Sequence, residues 1–174
     1  MVAFPKKYDP KLSEKKWQAY WEENKTYAFD KHTSKTIFSI DTPPPTVSGK
    51  MHVGHSFSYA QEDFIVRYKR MKGFEVFFPF GTDDNGLPTA ILVEKIKKVR
   101  SKDMSRKEFV TLCLETLKEI TPAFVADWKR LGISCDFSLY YSTINAHCQK
   151  ISQKSFLDLY KKGLNYQKFA PVIF

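Results

Sequence analysis

The sequence predicts an α/β fold, in which a parallel sheet with flanking helices is followed by a helix-rich second part. The first observation is the order strand, loop, helix, strand over residues 36–79, which is one βαβ unit of a parallel sheet. The second is a succession of helical apolar patterns after residue 90. The third is composition: 43% of the 174 residues are apolar and 16% are aromatic, which suits one domain with an aromatic-rich core.

The first segment, residues 1–35, is predicted to be a helical lead-in. Asp9 followed by Pro10 is typical of a helix start, because aspartate caps free N–H groups and proline fits the first helical position. Trp17 and Trp21 follow at helical spacing among lysines and glutamates. This pattern indicates an amphipathic helix that packs on a larger body.

The βαβ unit begins with residues 36–41, which are β-branched and aromatic and predict a strand. That strand ends at a Thr-Pro-Pro-Pro run, because proline cannot donate to a sheet ladder. Gly73 ends the predicted helix, and residues 75–79 predict the second strand. The helix is expected to have an apolar face of Phe57, Ala60, Phe64, Ile65, Tyr68 and Met71.

The second part is predicted to be helical. Separate helical patterns cover residues 91–99, 105–120, 124–131 and 146–162. Ser105 with Glu108 forms a capping box, and glycines end the last two patterns. Residues 167–174 are apolar and strand-like with no polar tail, so we expect the chain to be cut within a fold.

Charge and cysteine usage limit the class of protein. There are 28 Lys and Arg residues against 19 acidic ones, a net charge of +9, and such a surface attracts polyanions. Nucleic acid is therefore the first candidate partner, and a merely solubilising surface is the alternative. Cys113, Cys135 and Cys148 form no C-x-x-C pair, and no apolar run approaches membrane-spanning length. We expect a cytoplasmic protein with no membrane partner, whose cysteines are buried as small hydrophobes.

The loop from residue 43 to 55 carries a candidate phosphate site. It lies at the carboxyl end of the first strand and the start of a helix, where open parallel sheets bind ligands and free N–H groups suit phosphate. His52 and His55 can donate hydrogen bonds to phosphate oxygens, and Gly54 leaves room for a flat ring such as a purine. Each feature has a commoner explanation, such as a helix cap or a rigid proline loop. Their order along the chain favours a nucleotide site.

A second candidate loop covers residues 81–88, at the carboxyl end of the second strand. The βαβ geometry is expected to bring this loop beside the first one. Its acids can pair with an ammonium group. A calcium-like or ordinary Asx turn is the alternative, but no bidentate glutamate follows at EF-hand spacing.

These motifs resemble a known family. Residues 40–49 followed by His52-Val53-Gly54-His55 resemble the HIGH signature of class I aminoacyl-tRNA synthetases, and residues 68–74 and 81–88 match that class as well. Within it, P-P-P-x-V-x-G and G-x-D-D-N-G-L-P-T resemble the valine-specific branch, particularly its archaeal type. The resemblance runs almost from end to end. It implies that residues 36–174 are the first half of a Rossmann-like, HIGH-signature nucleotide-binding domain. The chain would then end before the editing insertion and the half that carries K-M-S-K-S.

The resemblance also implies a role for each residue of the first loop. His52 and His55 would contact the ATP phosphates, with Thr46 also at the ATP, and Gly54 would lie against the adenine. Magnesium would be bound mainly through ATP, with no protein metal site.

The implied amino-acid site lies next to the ATP site. Asp83 would hold the α-ammonium group, and Pro44, Pro45 and Thr46 would shape the pocket for the side chain. The implied reaction is attack of the valine carboxylate on ATP, giving valyl-adenylate and pyrophosphate, followed by transfer to tRNA(Val). The remainder of the synthetase would be a necessary partner, so we expect the isolated chain to be inactive.

Three departures from the family pattern stand out, and the most serious is that the second half of the catalytic fold, with its K-M-S-K-S loop, is missing. Val53 replaces the isoleucine of the signature, and Ala90 stands where many relatives have glutamate. Residues 102–106 superficially resemble K-M-S-K-S, but they lie between helices of the first half, and Ser105 is better explained as a helix cap.

Two other functions fit parts of the sequence. One is a small, complete nucleotidylyltransferase, since that superfamily shares the H-x-G-H loop. The other is a non-catalytic, synthetase-derived binding module that keeps the fold and the basic surface.

Overall fold

The computed structural model describes residues 7–40 and 42–171. It is a mixed α/β structure in which helices flank short parallel strands. A short 3-10 helix, Ser101–Asp103, precedes the longest helix. In chain order the helices and strands are α1 (Pro10–Glu23), β1 (Ile37–Ser39), α2 (Val53–Met71), β2 (Glu75–Phe77), β3 (Pro79–Thr82), α3 (Leu87–Lys97), α4 (Arg106–Leu131), β4 (Asp136–Ser142) and α5 (Ala146–Lys161).

The first parallel pair of strands confirms the predicted βαβ unit. β1 pairs with β2 in parallel, with Ile37 opposite Glu75, and α2 forms the crossover between them. β3 continues the chain after β2 and pairs in parallel with β4, where Gly81 lies opposite Tyr141. The two pairs are separate two-stranded sheets, and within each pair the carboxyl ends lie at the same edge, which is where parallel sheets bind ligands.

The core is aromatic, as the composition predicts. Trp128 of α4 is fully buried at its centre. The rings of Tyr59, Phe80 and Phe124 surround it at centroid distances of 4.4, 5.6 and 6.1 Å. These rings come from α2, β3 and α4, so one indole joins the helix after the first loop to the strand before the second loop.

The expected apolar face of α2 is wrong, although the helix itself is confirmed. The apolar residues on that face are mostly exposed, with Phe57 at 68% and Met71 at 79%. The buried positions are instead Tyr59, Asp63 and Val66. The period of an amphipathic helix locates a face but does not say which neighbour covers it.

A buried charged network explains why α2 turns this face inward. One oxygen of Asp63 accepts a bond from the backbone N–H of Ser134 at 2.9 Å and another from the Ser134 hydroxyl. The other oxygen accepts from Arg67 at 2.7 Å, and Arg67 also donates to the carbonyl of Gly132 at 2.7 Å. Arg70 donates to the Ser134 carbonyl at 2.8 Å. This network ties α2 to the segment that leads into β4.

One expectation about the helices needs correction. The patterns over 105–120 and 124–131 belong to a single helix, α4, with Pro122 inside it. The predicted capping box is confirmed, because Ser105 accepts from the Glu108 N–H and Glu108 accepts from the Ser105 N–H. Gly132 follows α4 with φ +79°, as expected of a helix-ending glycine. Asp9 also caps α1 as predicted, accepting from the N–H of Lys11 at 2.9 Å.

The strands differ more from expectation. The first strand is shorter than 36–41, and Asp41 lies outside the described residues. The second strand does not stop at 79, because β3 starts there and runs to Thr82. β4 was not predicted at all. The expected strand at 167–174 is absent over residues 167–171, and residues 172–174 lie outside the described part.

Two further expectations concern the burial of the cysteines and the length of the apolar segments. Cys135 is buried as expected, whereas Cys113 and Cys148 are only half-buried, and all three are free thiols. Over residues 7–40 and 42–171, no helix is both long enough and apolar enough to cross a membrane.

Candidate functional site

The two histidines of the first loop form a stacked pair at the start of α2. His52 is the N-cap residue and His55 lies in the first turn. Their ring centroids are 3.9 Å apart, with an angle of 19° between the rings. The His52 backbone N–H donates a long bond, 3.5 Å, to Nδ1 of His55. Since Nδ1 accepts, a neutral His55 carries its proton on Nε2 and keeps one N–H donor for a ligand.

The surroundings of His55 favour the neutral ring. Its pKa is lowered from the ordinary value of 6.5, first by burial and then by the nearby His52. The ring lies 5.7 Å from the ring of Trp128, which anchors it to the core. A neutral imidazole can donate to a phosphate oxygen without carrying a charge of its own.

Gly54 is explained by the position of the His52 ring. A Cβ at residue 54 would lie 3.0 Å from Cε1 and 3.1 Å from Nδ1 of His52. Both contacts are tighter than ordinary van der Waals distances. A side chain here would therefore require the His52 ring to shift.

The second loop lies directly against the first one, as the βαβ geometry predicts. Thr46 and Asp83 form an isolated parallel bridge. The Asp83 N–H donates to the Pro45 carbonyl at 2.9 Å, and the Val47 N–H donates to the Asp83 carbonyl at 3.0 Å. Thr89, in the first turn of α3, also donates to the Val47 carbonyl at 3.3 Å. Backbone bonds on both sides thus hold Asp83 next to the proline loop.

The two oxygens of the Asp83 carboxylate have different surroundings. Oδ1 accepts from the Thr143 hydroxyl at 2.9 Å and from the Asn85 amide at 3.1 Å. Oδ2 has only a long bond, 3.4 Å, from the Thr46 hydroxyl. Oδ2 is therefore the oxygen with capacity left for a cationic group.

A second acid beside Asp83 has a structural role. Oδ2 of Asp84 accepts from the Thr82 hydroxyl at 2.8 Å and also from the Ser142 hydroxyl. The Thr82 oxygen and the Tyr140 oxygen are 2.5 Å apart. Because Thr82 gives its only proton to Asp84, Tyr140 must be the donor in that pair. The pKa of Tyr140 is raised, mainly by burial, so its phenol keeps this proton.

The structure brings some predicted site residues together and leaves others apart. Asp83 touches Thr46 and the backbone of Pro45, which is buried, while Pro44 is half-buried beside it. His52 and His55 stack on each other, and among the described residues no hydrogen bond joins either ring to Asp83. The link between the two groups runs through the core, from the His55 ring to Trp128 and on to Phe80 of β3.

No metal centre is found among the described residues, where no group of three or more His, Cys, Asp or Glu side chains could hold an ion. The segment at 102–106 is also not part of the site. It spans the end of a 3-10 helix and the N-cap of α4, in keeping with its interpretation as a helix start.

Sequence reasoning missed the part of the site that β4 supplies. Thr143 and Ser142 reach the two acids from the end of this strand, and Trp128 supports His55 from α4. A signal was present, since the segment Asp136–Ser142 is rich in aromatic residues and typical of a strand. No local pattern gives the partner of that strand, because the pairing with β3 spans more than fifty residues.

The chain is similar in sequence to valine–tRNA ligases over almost its whole length. A valine–tRNA ligase of Rickettsia prowazekii (strain Madrid E) is 49% identical over 174 residues, which are 99% of this chain and 21% of the relative. One from Thermoplasma volcanium is 52% identical over 160 residues, covering 92% of this chain and 20% of the relative. The chain therefore spans about a fifth of the length of these curated relatives.

A solved structure supports the fold. It is a LeuRS of Agrobacterium radiobacter K84 in a ternary complex, LeuRS-tRNA-LeuAMS, with a TM-score of 0.72 and 24% identity. The match covers 91% of this chain and 18% of that one. None of these matches supports the nucleotidylyltransferase alternative. The family model for class I tRNA synthetases (I, L, M and V) matches residues 16–174, and the chain belongs to this family.

Proposed function

We propose that the chain is the first part of the catalytic domain of a valine–tRNA ligase. Its site would bind ATP and valine, and the valine carboxylate would attack the α-phosphate to give valyl-adenylate and pyrophosphate. The valyl group would then pass to tRNA(Val). The near 50% identity to valine–tRNA ligases over almost the whole chain supports valine as the substrate.

The observation that carries this proposal is the joining of two loops at one sheet edge. The Thr46–Asp83 bridge holds an acid beside the proline loop, and that loop leads directly into the histidine pair of α2. An ammonium site and a phosphate site are therefore neighbours, as adenylate formation requires. Holding two reactants in this way removes much of the entropic cost of their encounter.

The roles of the ATP-binding residues follow from their donors. The Nε2–H of His55 and the His52 ring would donate to the phosphates, and the free N–H groups at the start of α2 would add positive potential. Gly54 would leave room for the adenine, and Thr46 would border both substrates. Magnesium would arrive with ATP and neutralise part of the phosphate charge.

The roles of the valine-binding residues follow from the second loop. Oδ2 of Asp83 would accept from the ammonium group, since Oδ1 is already bonded. Pro44, Pro45 and Thr46 would line the side-chain pocket. An apolar pocket rejects an added hydroxyl poorly, so threonine would be the hardest competitor to exclude.

Domain organisation and setting belong to the same proposal. Residues 1–35 would be the lead-in, and residues 36–174 the first half of the catalytic domain. The other four-fifths of the relatives' length would supply the rest of the active site and the tRNA contacts. The three free thiols suit a cytoplasmic protein.

The test is amino-acid-dependent ATP–pyrophosphate exchange in a chimera. The aligned fifth of the Rickettsia prowazekii relative is replaced by these 174 residues, and valine, isoleucine, leucine and threonine are compared. We expect exchange with valine, which His55→Ala and Asp83→Asn each reduce by about 100-fold or more. The isolated chain should give no exchange.

Two results would count against the proposal. Exchange that prefers another amino acid would remove valine as the substrate. A soluble, folded chimera with no exchange at all would indicate a non-catalytic member of the family. Gln61→Ala, an exposed change on α2, serves as the control for substitution near the site.

A further inference from the structure

Thr143 occupies a junction that no motif in the sequence indicates. It follows directly after β4, and its backbone N–H donates to the Thr82 carbonyl at 3.0 Å. Its side chain thereby lies over the second loop. Three polar groups of that loop surround the hydroxyl: Oδ1 of Asp83, the N–H of Asp84 and the amide of Asn85.

The direction of each bond at this hydroxyl is determined. A threonine hydroxyl has one proton and two lone pairs. The Asp84 N–H at 3.1 Å and the Asn85 Nδ2 at 3.2 Å are both donors, so they take the lone pairs. The single proton is left for Oδ1 of Asp83 at 2.9 Å. The hydroxyl is therefore saturated and cannot turn to a different acceptor.

This saturation fixes the carboxylate of Asp83. Oδ1 receives the Thr143 proton and a second bond from Asn85, which is itself bonded to Thr143. Rotation of the carboxylate would break two bonds that share one hub. Oδ2, with its single long bond to Thr46, stays directed to the proline loop.

We propose that Thr143 is a positioning residue, which orients Asp83 so that Oδ2 faces the amino group of the bound amino acid. This inference rests on the proposed function, because it takes Asp83 as the ammonium site. It assigns a role in substrate recognition to the end of β4. Thr143 itself does not touch the substrate.

The test measures the binding of valine, valinol and ATP by calorimetry to the chimera that carries these 174 residues. Valinol keeps the amino group and lacks the carboxylate. Thr143→Val, which keeps the shape and removes the hydroxyl, should weaken valine and valinol by roughly tenfold or more and leave ATP within about twofold. Thr143→Ser, which keeps the hydroxyl, should bind valine and valinol as the unaltered protein does.

The matched control is Thr116→Val. Thr116 is a buried threonine of α4 whose hydroxyl bonds only to the Leu112 carbonyl of its own helix, at 2.7 Å. It loses the same hydroxyl without contact to the site, so amine binding should not change. A general loss of stability would weaken ATP and amine binding together. If Thr143→Val does not fold, Thr143→Ala removes the same hydroxyl with less bulk.

The possible failures can be told apart. If Asp83→Asn abolishes valine binding and Thr143→Val does not weaken it, the positioning role is wrong and the proposed function stands. If the chimera without further changes binds neither valine nor valinol, the amino-acid site fails, and with it this inference about substrate. A crystal structure of Thr143→Val adds a direct readout: an unmoved Asp83 carboxylate would overturn the positioning role.

Discussion

At the scale of single residues, His55 links the stability of the fold to pH. Its folded pKa is lowered from 6.5 by burial and by His52. As the pH falls below 6.5, the unfolded chain takes up this proton before the folded chain does, so the free energy of unfolding decreases. The contribution is complete above the ordinary pKa and is lost in mild acid.

We therefore expect His55→Gln to reduce the pH dependence of the free energy of unfolding. Urea unfolding at pH 7.5 and pH 5.5 would show a smaller acid loss in the variant than in the unaltered chain. His147→Gln, a change at an exposed histidine of α5, controls for the loss of an imidazole elsewhere. Equal acid losses in His55→Gln and the unaltered chain would contradict the assigned environment.

Gly81 shows how a single missing side chain can shape the sheet. A Cβ at this position would lie under 3.0 Å from Cζ and Cε1 of Tyr141, the residue opposite Gly81 on β4. Gly81→Ala should lower the free energy of unfolding by about 2–3 kcal/mol or more through overpacking. Gly49→Ala is the control, since nothing lies within 4 Å of the added atom. Similar stabilities of the two variants in urea unfolding would disprove this packing.

The residues of the site differ in how far the sequence predicted them. His52, Gly54, His55 and Asp83 were identified because motifs at strand ends are local in sequence. Thr143 was not, because its partners lie about sixty residues away. Side-chain proton donors of this kind become visible only when strand pairing is known.

At the scale of elements, a charged network decides the orientation of α2. Asp63 is buried, and its oxygens bind both Arg67 and the Ser134 segment. Asp63→Asn should cost about 2–3 kcal/mol, which is below the usual range for a broken buried pair because Arg67 is partly exposed. Asp127→Asn, from the exposed pair with Arg130 at 3.7 Å, should change stability by less than about 0.5 kcal/mol. Equal effects in denaturant titration would refute the role of the network.

The continuity of α4 gives a second prediction at this scale. Pro122 lies inside the helix, where proline removes a backbone bond and costs up to about 3 kcal/mol relative to alanine. Pro122→Ala should therefore raise the stability. Lys118→Ala, one turn earlier on the exposed surface, should leave it nearly unchanged. If Pro122→Ala does not raise the free energy of unfolding in urea, the continuity of α4 across Pro122 is contradicted.

The same two helices show the limits of prediction from pattern. Separate apolar patterns over 105–120 and 124–131 predicted two helices, whereas the structure has one helix that packs around Trp128. In α2 the apolar period was correct, but the polar network turned the opposite face inward. Helix existence follows from local periodicity, whereas helix orientation follows from distant partners.

At the scale of the whole molecule, the described residues expose unusually many large apolar side chains. Many of them lie on α2 and on α5, which has no buried residue, with Phe64 at 70% and Phe156 at 60% exposure. The α/β class, the βαβ unit and the meeting of the two loops were all predictable from sequence. The exposure of these helix faces was not predictable, since it depends on which neighbouring surfaces pack against each helix.

The central claim is that the two loops form one site for an aminoacyl-adenylate. The most direct measurement is an NMR titration of the chimera, labelled in these 174 residues, with the non-hydrolysable analogue valyl-sulfamoyl-adenosine, compared with ATP and valine separately. The claim predicts shifts at both residues 52–55 and residues 83–85, binding tighter than either substrate alone, and losses in His55→Ala and in Asp83→Asn. Shifts confined to one loop, or no gain over ATP, would contradict it.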